Sequence, residues 1–255
     1  MTAFDSRMGA VYPVQLDSSL FNERGALTIS AYQKILSAVA ERDLAYTGID
    51  VPSIIANLGV SWVLLSLSLD IHAAVRRDGE LAARTWHTSK AGFIYRREIA
   101  LEDGRGERAV NAAMFFSLLD IKTRRLCMDP AIHARFCLPQ GEELLGAASR
   151  VSTRGLDFAP VEGRSVRPSW IDYLGHVNNA RYGELAYDAL TDGERASFEK
   201  LSRLELYFTR ELLPGDAVTM ERVRDGEAIV VRATIPPEGT QSFVVKMEFD
   251  AIEKS

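Results

Sequence analysis

The chain has 255 residues, of which 47% are hydrophobic and 25% are charged, proportions typical of a soluble globular protein. This length suits one large domain or two small ones and supplies enough apolar side chains for a sizeable core. The high hydrophobic content and the net charge of only −5 exclude disorder for most of the chain. The basic residues are scattered, which argues against a nucleic-acid partner.

The sequence carries no signal for a membrane span or for export. Its most apolar stretch, residues 62–69, is far shorter than the about 20 residues that cross a bilayer and is interrupted by Ser66 and Ser68. The N-terminus carries Asp5 and Arg7 and lacks the apolar core of a secretory signal. Two cysteines do not make a disulfide scaffold, so we expect a cytoplasmic protein without a membrane span.

A leading strand at residues 11–16 and one amphipathic helix are predicted at the start of the first half. Four strand-like segments follow at residues 62–71, 81–87, 93–101 and 109–121, separated by glycine-containing turns. This order predicts a helix packed on an antiparallel sheet, the two-layer α+β arrangement. Apolar residues at helical spacing form the stripe that the helix would bury: Ile29, Tyr32, Ile35, Leu36 and Val39.

The second half repeats this order. A leading strand is predicted near residues 164–167, and later strands at 204–210, 217–223, 228–235 and 242–252. The buried side chains predicted for its helix are Ala180, Leu185, Ala189 and Leu190.

The two halves also align residue by residue. Gly25 matches Gly175 and Tyr32 matches Tyr182, in both cases 150 residues apart. We therefore predict two tandem α+β domains at residues 1–127 and 153–255, joined by a linker at 128–152.

A polar cluster stands just before the second helix. It contains Asp172, His176, Asn178 and Asn179. Asn or Asp at this place usually caps the helix, but capping explains less well an aspartate and a histidine four residues apart. Because free amides at a helix N-terminus can bind an oxyanion, we predict that the amides of Val177, Asn178 and Asn179 polarise a carbonyl group.

Comparison of the repeats favours chemistry in the second half alone. Ala26 stands where His176 would be 150 residues earlier, and at a second register of 136 residues Val75 matches Glu211. A surface charge such as Glu211 can differ for no functional reason. Both differences nevertheless fall at the candidate site.

These residues lie within a chain that resembles the acyl-acyl-carrier-protein (acyl-ACP) thioesterases, which are built from two fused hot-dog domains. The resemblance covers roughly residues 11–252 and implies an acyl-binding first domain and a catalytic second domain. In that family the matching catalytic residues are Asp172, His176 and Glu211. The segments that carry the resemblance are residues 61–64, 85–86, 95–98, 119–125, 172–182 and 207–211.

One position departs from the family pattern, because Leu174 stands where the family has asparagine. The run from Asp172 to Asn179 also resembles single-domain thioesterases of the hydroxybenzoyl-CoA type, in which this position need not be polar. Leu174 thus fits either an aspartate-centred enzyme or a catalytically silent acyl-binding protein.

The predicted function is hydrolysis of fatty acyl-ACP thioesters in fatty acid biosynthesis, with acyl-CoA as the alternative substrate. Asp172 or Glu211 would act as the general base and His176 would hold the geometry. The reaction needs no cofactor, and the spacing of Cys127, His133 and Cys137 fits a metal site poorly. The expected partner is acyl carrier protein, and the chain could be a monomer or a homodimer. A hydroxyacyl dehydratase is disfavoured, because its His-Phe-Pro-Gly run is absent from the sequence.

Overall fold

The computed structural model of the protein describes residues 9–136, 141–146 and 151–250. Within these segments, eleven strands form one antiparallel sheet, to which each half of the chain contributes one end. The first half supplies β1 (Ala10–Val14), β2 (Val60–Ile71), β3 (Leu81–Ala91), β4 (Ile94–Asp103), β5 (Arg108–Asp120) and β6 (Arg125–Leu126). The second half supplies β7 (Ala159–Ser165), β8 (Leu201–Phe208), β9 (Ala217–Asp225), β10 (Ala228–Ile235) and β11 (Thr240–Phe249).

The strand order shows that the halves are equivalent. It runs β1-β3-β4-β5-β2-β8-β11-β10-β9-β7, so the second half mirrors the first, and β6 pairs with β5 outside this path. The halves join where β2 pairs antiparallel with β8, with Leu67 opposite Leu206. Each half therefore covers the strand edge that the other would expose. This confirms the α+β class and the tandem repeat.

Helices α1 (Ile29–Thr47) and α4 (Asn179–Asp188) contact each other beside the sheet. The hydroxyl of Thr28 accepts the Ala31 amide at the start of α1, and Gly48 ends the helix with a φ of 73°. Every predicted residue of the α1 stripe is buried. Three short helices, α2 (Val51–Leu58), α3 (Pro130–His133) and α5 (Asp192–Ala196), were not predicted, because each is too short to show a periodic pattern.

The two long helices differ in length and approach each other closely. α4 has 10 residues against 19 in α1. At their crossing, a Cβ atom on Gly183 would lie 2.1 Å from Oε1 of Gln33 and 2.9 Å from the backbone nitrogen of Ser30. The Gln33 side chain also donates to the carbonyl of Asn179 at 2.7 Å. Only glycine therefore fits at position 183.

The backbone also confirms the 150-residue repeat. Gly25 and Gly175 occupy the same place before each helix, with φ values of 80° and 84°. These values favour glycine, which pays no Cβ penalty there. The residue just before each helix is held in the same way. The Thr28 amide donates to the Leu20 carbonyl at 3.1 Å, and the Asn178 amide donates to the Trp170 carbonyl at 2.9 Å.

The predicted strands are present, but β7 begins at Ala159, earlier than the predicted 164–167.

The predicted linker is partly described. Residues 141–146, within the predicted linker, pack against the first half: the Arg96 guanidinium donates to Glu143 at 2.7 Å and to the Leu145 carbonyl at 2.6 Å. This part of the linker is thus an ordered contact surface, while residues 137–140 and 147–150 lie outside the described residues. The boundaries at 1–127, 128–152 and 153–255 stay a prediction.

A buried ionic group joins α1 to the first half of the sheet. Arg97 donates to Asp43 at 2.7 Å and to the hydroxyl of Thr85 at 3.0 Å. It also contacts Nε2 of His87, and because arginine can only donate, this nitrogen accepts and the ring hydrogen lies on Nδ1. Burial, reinforced by the charge of Arg97, lowers the pKa of His87 to about 2.

This histidine is expected to make stability depend on pH. Below the ordinary histidine pKa of about 6.5, the unfolded chain binds a proton that folded His87 does not, so stability falls as the pH falls. Between about pH 7 and about pH 5, this costs the wild type about 2 kcal/mol more than His87→Gln, which keeps an acceptor for Arg97. Urea unfolding of both proteins at the two pH values measures the difference, and equal losses would contradict the prediction.

Candidate active site

A tight turn between β7 and α4 brings Asp172 and His176 together. The Asp172 amide donates to the His176 carbonyl at 2.9 Å, and the Gly175 amide donates to the Asp172 carbonyl at 3.0 Å. Nδ1 of His176 consequently lies 3.4 Å from Oδ2 of Asp172. The other Asp172 oxygen accepts the backbone amide of Leu174 at 2.9 Å. Residue 174 thus holds Asp172 by a backbone hydrogen bond, which any side chain other than proline at this position would allow.

The loop after β8 carries Glu211 to the same turn. The next residue, Leu212, accepts the Val177 amide at 2.9 Å, and its own amide donates to the hydroxyl of Tyr182 at 3.0 Å. Burial raises the pKa of Tyr182 to about 12, so this hydroxyl stays neutral and serves as a fixed acceptor. The backbone next to Glu211 therefore contacts the turn that carries Asp172 and His176. The catalytic roles predicted for these three residues stay a prediction.

The surroundings of His176 select one tautomer of the ring. Nδ1 faces two acceptors, Oδ2 of Asp172 at 3.4 Å and the Val177 carbonyl at 3.1 Å. The ring proton therefore belongs on Nδ1, which leaves a lone pair on Nε2. The His176 side chain is 20% exposed and that of Asp172 is 16% exposed, so water can reach the pair. Nε2 is therefore the ring nitrogen that can accept a proton from water.

The predicted oxyanion donors need revision. The Val177 amide donates to the Leu212 carbonyl and the Asn178 amide to the Trp170 carbonyl, both at 2.9 Å. Neither is free to bind a thioester oxygen in this arrangement. α4 accordingly begins at Asn179, and the Asn178 side chain caps it by accepting the Ala180 amide at 3.0 Å. Among the described residues, the Asn179 amide donates to no backbone carbonyl, so it stays the candidate donor to the thioester oxygen.

The first half contributes two residues that the sequence did not assign to the site. Arg124, in the turn between β5 and β6, donates from Nε to Oε1 of Glu211 at 2.8 Å and from Nη2 to the other carboxylate oxygen. On α1, burial and then the negative charge of Asp172 raise the pKa of Glu41. Residues 87 positions apart, as Arg124 and Glu211 are, share no local pattern that could reveal such a contact.

The described segments offer no alternative centre based on a metal. They contain no group of three or more His, Cys, Asp or Glu side chains arranged to hold a metal ion. Cys127 is buried and unpaired, and Cys137 lies outside the described residues. None of the helices in these segments is long and apolar enough to cross a lipid bilayer.

Comparisons with known proteins identify the family of the chain. The acyl-ACP thioesterase N-terminal domain matches residues 7–133, and the acyl-ACP thioesterase C-terminal domain matches residues 159–251. No curated protein sequence shows a significant match.

Two solved structures have the same fold over nearly the whole chain. An acyl-ACP thioesterase from Bacteroides thetaiotaomicron is 19% identical, with a TM-score of 0.81, over 94% of this chain and 97% of that protein. The 12:0-ACP thioesterase from Umbellularia californica is 14% identical, with a TM-score of 0.77, over 94% of this chain and 96% of that protein. At such identities the similarity shows the fold, two fused hot-dog units. Together with the two domain matches, it establishes that the chain belongs to the acyl-ACP thioesterase family and is a thioester hydrolase.

Proposed function

We propose that the protein hydrolyses fatty acyl-ACP thioesters and releases free fatty acid for fatty acid biosynthesis. The observation that carries this proposal is the Asp172–His176 pair, in which Nδ1 of His176 faces two acceptors and Nε2 keeps its lone pair. Hydrolysis of a thioester requires a base for water and a donor for the carbonyl oxygen, and this site offers both.

In the proposed reaction, Nε2 of His176 takes a proton from water while the water oxygen attacks the thioester carbonyl carbon. Asp172 holds the ring in the required tautomer and stabilises the imidazolium that forms. The Asn179 amide, at the start of α4, would donate to the developing oxyanion. When the carbon–sulfur bond breaks, the imidazolium returns its proton to the thiolate. The products are the fatty acid and the free thiol of the carrier.

The contacts of the two carboxylates support His176 as the base. One Asp172 oxygen accepts the Leu174 amide and the other faces His176. Both Glu211 oxygens accept from Arg124. Each oxygen of Glu211 keeps a second lone pair, so this carboxylate can orient the attacking water without taking its proton.

The test is thiol release from matched acyl-ACP and acyl-CoA thioesters, with chains of eight to eighteen carbons, by the wild type and Asp172→Ala. We expect faster turnover of acyl-ACP by the wild type and its collapse in the variant. Equal or faster turnover of acyl-CoA would instead assign coenzyme A as the carrier. Binding without turnover of any substrate would overturn the proposal in favour of a silent acyl-binding protein.

A further inference from the structure

The backbone of Arg124 adopts a conformation that its side chain does not favour. Its φ is 54°, and it is the one non-glycine residue with positive φ among residues 9–136, 141–146 and 151–250. For a residue with a Cβ atom this left-handed region is disfavoured, and such positions are usually glycine or asparagine. The surrounding turn imposes the conformation. Oδ1 of Asp120 accepts the amides of Lys122 and Thr123 at 3.0 and 2.7 Å, and the Arg124 amide donates to the Asp120 carbonyl at 2.9 Å.

From this turn, the Arg124 side chain crosses from the first half of the protein to the second. Its two parallel donors match the two oxygens of Glu211, the geometry in which arginine binds a carboxylate most specifically. Both side chains are about one-third exposed, at 34% and 32%. The hydrogen bond with Glu211 is the main cause that raises the pKa of Arg124, and the negative charge of Asp172 contributes as well.

Fold stability does not explain this arrangement well. A solvent-accessible ion pair contributes little to stability, and here it is made from a residue whose backbone is strained. Strain that is retained for a weak structural gain is typical of functional sites.

We propose that Arg124 is a positioning residue that orients Glu211 for the reaction, so that the first half completes the active site of the second. The inference rests on the proposed role of Glu211 in thioester hydrolysis. Arg124 acts through Glu211: its two hydrogen bonds fix the carboxylate plane and leave one lone pair on each oxygen free to accept a hydrogen bond from the attacking water.

The experiment compares the wild type with Arg124→Ala, Arg124→Lys and Arg124→Gly, using Arg125→Ala as the matched control. Arg125 lies next to Arg124 in β6 and its side chain is exposed. We expect kcat to fall about 10²-fold in Arg124→Ala with KM nearly unchanged, because misplacing a catalytic group costs about this much. Arg124→Lys should recover part of the rate, and Arg125→Ala should keep all of it.

Arg124→Gly separates positioning from folding. Glycine accepts the left-handed conformation, so this variant should keep its thermal midpoint while losing activity. Added guanidinium ions should restore part of its rate by pairing with Glu211, whereas sodium ions should not. A loss of kcat that follows a loss of thermal stability in all three variants would overturn the inference.

A double-mutant cycle tests whether Arg124 acts through Glu211. In a Glu211→Gln background, Arg124→Ala should lower kcat no further, because the group it orients has already been changed. Additive losses, or full activity of Arg124→Ala beside an active wild type, would refute the inference and leave the proposed function intact. A wild type that hydrolyses no thioester would refute both.

Discussion

Replacing His176 with alanine should lower kcat by about 10²–10⁴-fold, the range expected for loss of a general base. Nδ1 of the ring is committed to Asp172 and to the Val177 carbonyl, so Nε2 is the ring nitrogen that can take a proton from water. In the proposed reaction His176 acts on the attacking water and not on the acyl chain or the carrier, so KM should change little. Steady-state thiol release with a saturating acyl thioester measures both constants.

Two further variants test whether this loss is due to the missing base. Asp172→Asn keeps the size of the side chain but can present an amide hydrogen to Nδ1, which would favour the wrong tautomer, so its kcat should fall nearly as far. His72→Ala is the control. His72 lies in the first half of the protein, is exposed and is hydrogen-bonded to Asn111. If His176→Ala kept more than about a tenth of the wild-type rate, the base would have to be sought among the carboxylates.

The second large effect is expected from Gly183→Ala, which should lower the free energy of unfolding by about 3 kcal/mol. The new methyl group would lie 2.1 Å from Oε1 of Gln33 and 2.9 Å from the backbone of Ser30. The Gln33 side chain can rotate away, but the Ser30 backbone belongs to α1, so the two helices must move apart. Urea denaturation followed by circular dichroism gives the change.

Gly193→Ala is the matched control for this experiment. Gly193 lies in α5, and a Cβ atom there meets nothing within 4 Å. Because alanine favours the helix more than glycine, this variant should be equal in stability or more stable by up to about 1 kcal/mol. Equal unfolding midpoints for the two variants would show that the helices tolerate the added methyl group.

Much of the fold could be predicted because its signals are local or repeated. The α1 stripe follows from spacing alone, and the alternation of strands and glycine turns gives most of the sheet. The candidate site was partly accessible for the same reason: Asp172 and His176 lie four residues apart in one turn, so their proximity needs no knowledge of the fold.

The remaining features depend on contacts between distant segments. The start of α4 could not be located from the sequence, because the Val177 amide is occupied by Leu212 from another strand connection. The roles predicted for the amides of Val177 and Asn178 were wrong in this arrangement for the same reason. Arg124 reaches Glu211 only because β2 and β8 align the two halves, which no local spacing encodes.

The pairing of β2 with β8 has a consequence for how the two copies can differ. In a symmetric dimer of identical chains, both subunits must carry every site residue, and association depends on concentration. Here the partners are tethered, so each meets the other at a high effective concentration at any dilution. The second half can therefore carry His176 where the first half has Ala26, while the first half supplies Arg124 to Glu211. Two identical subunits could not differ in this way, because both would have the same sequence.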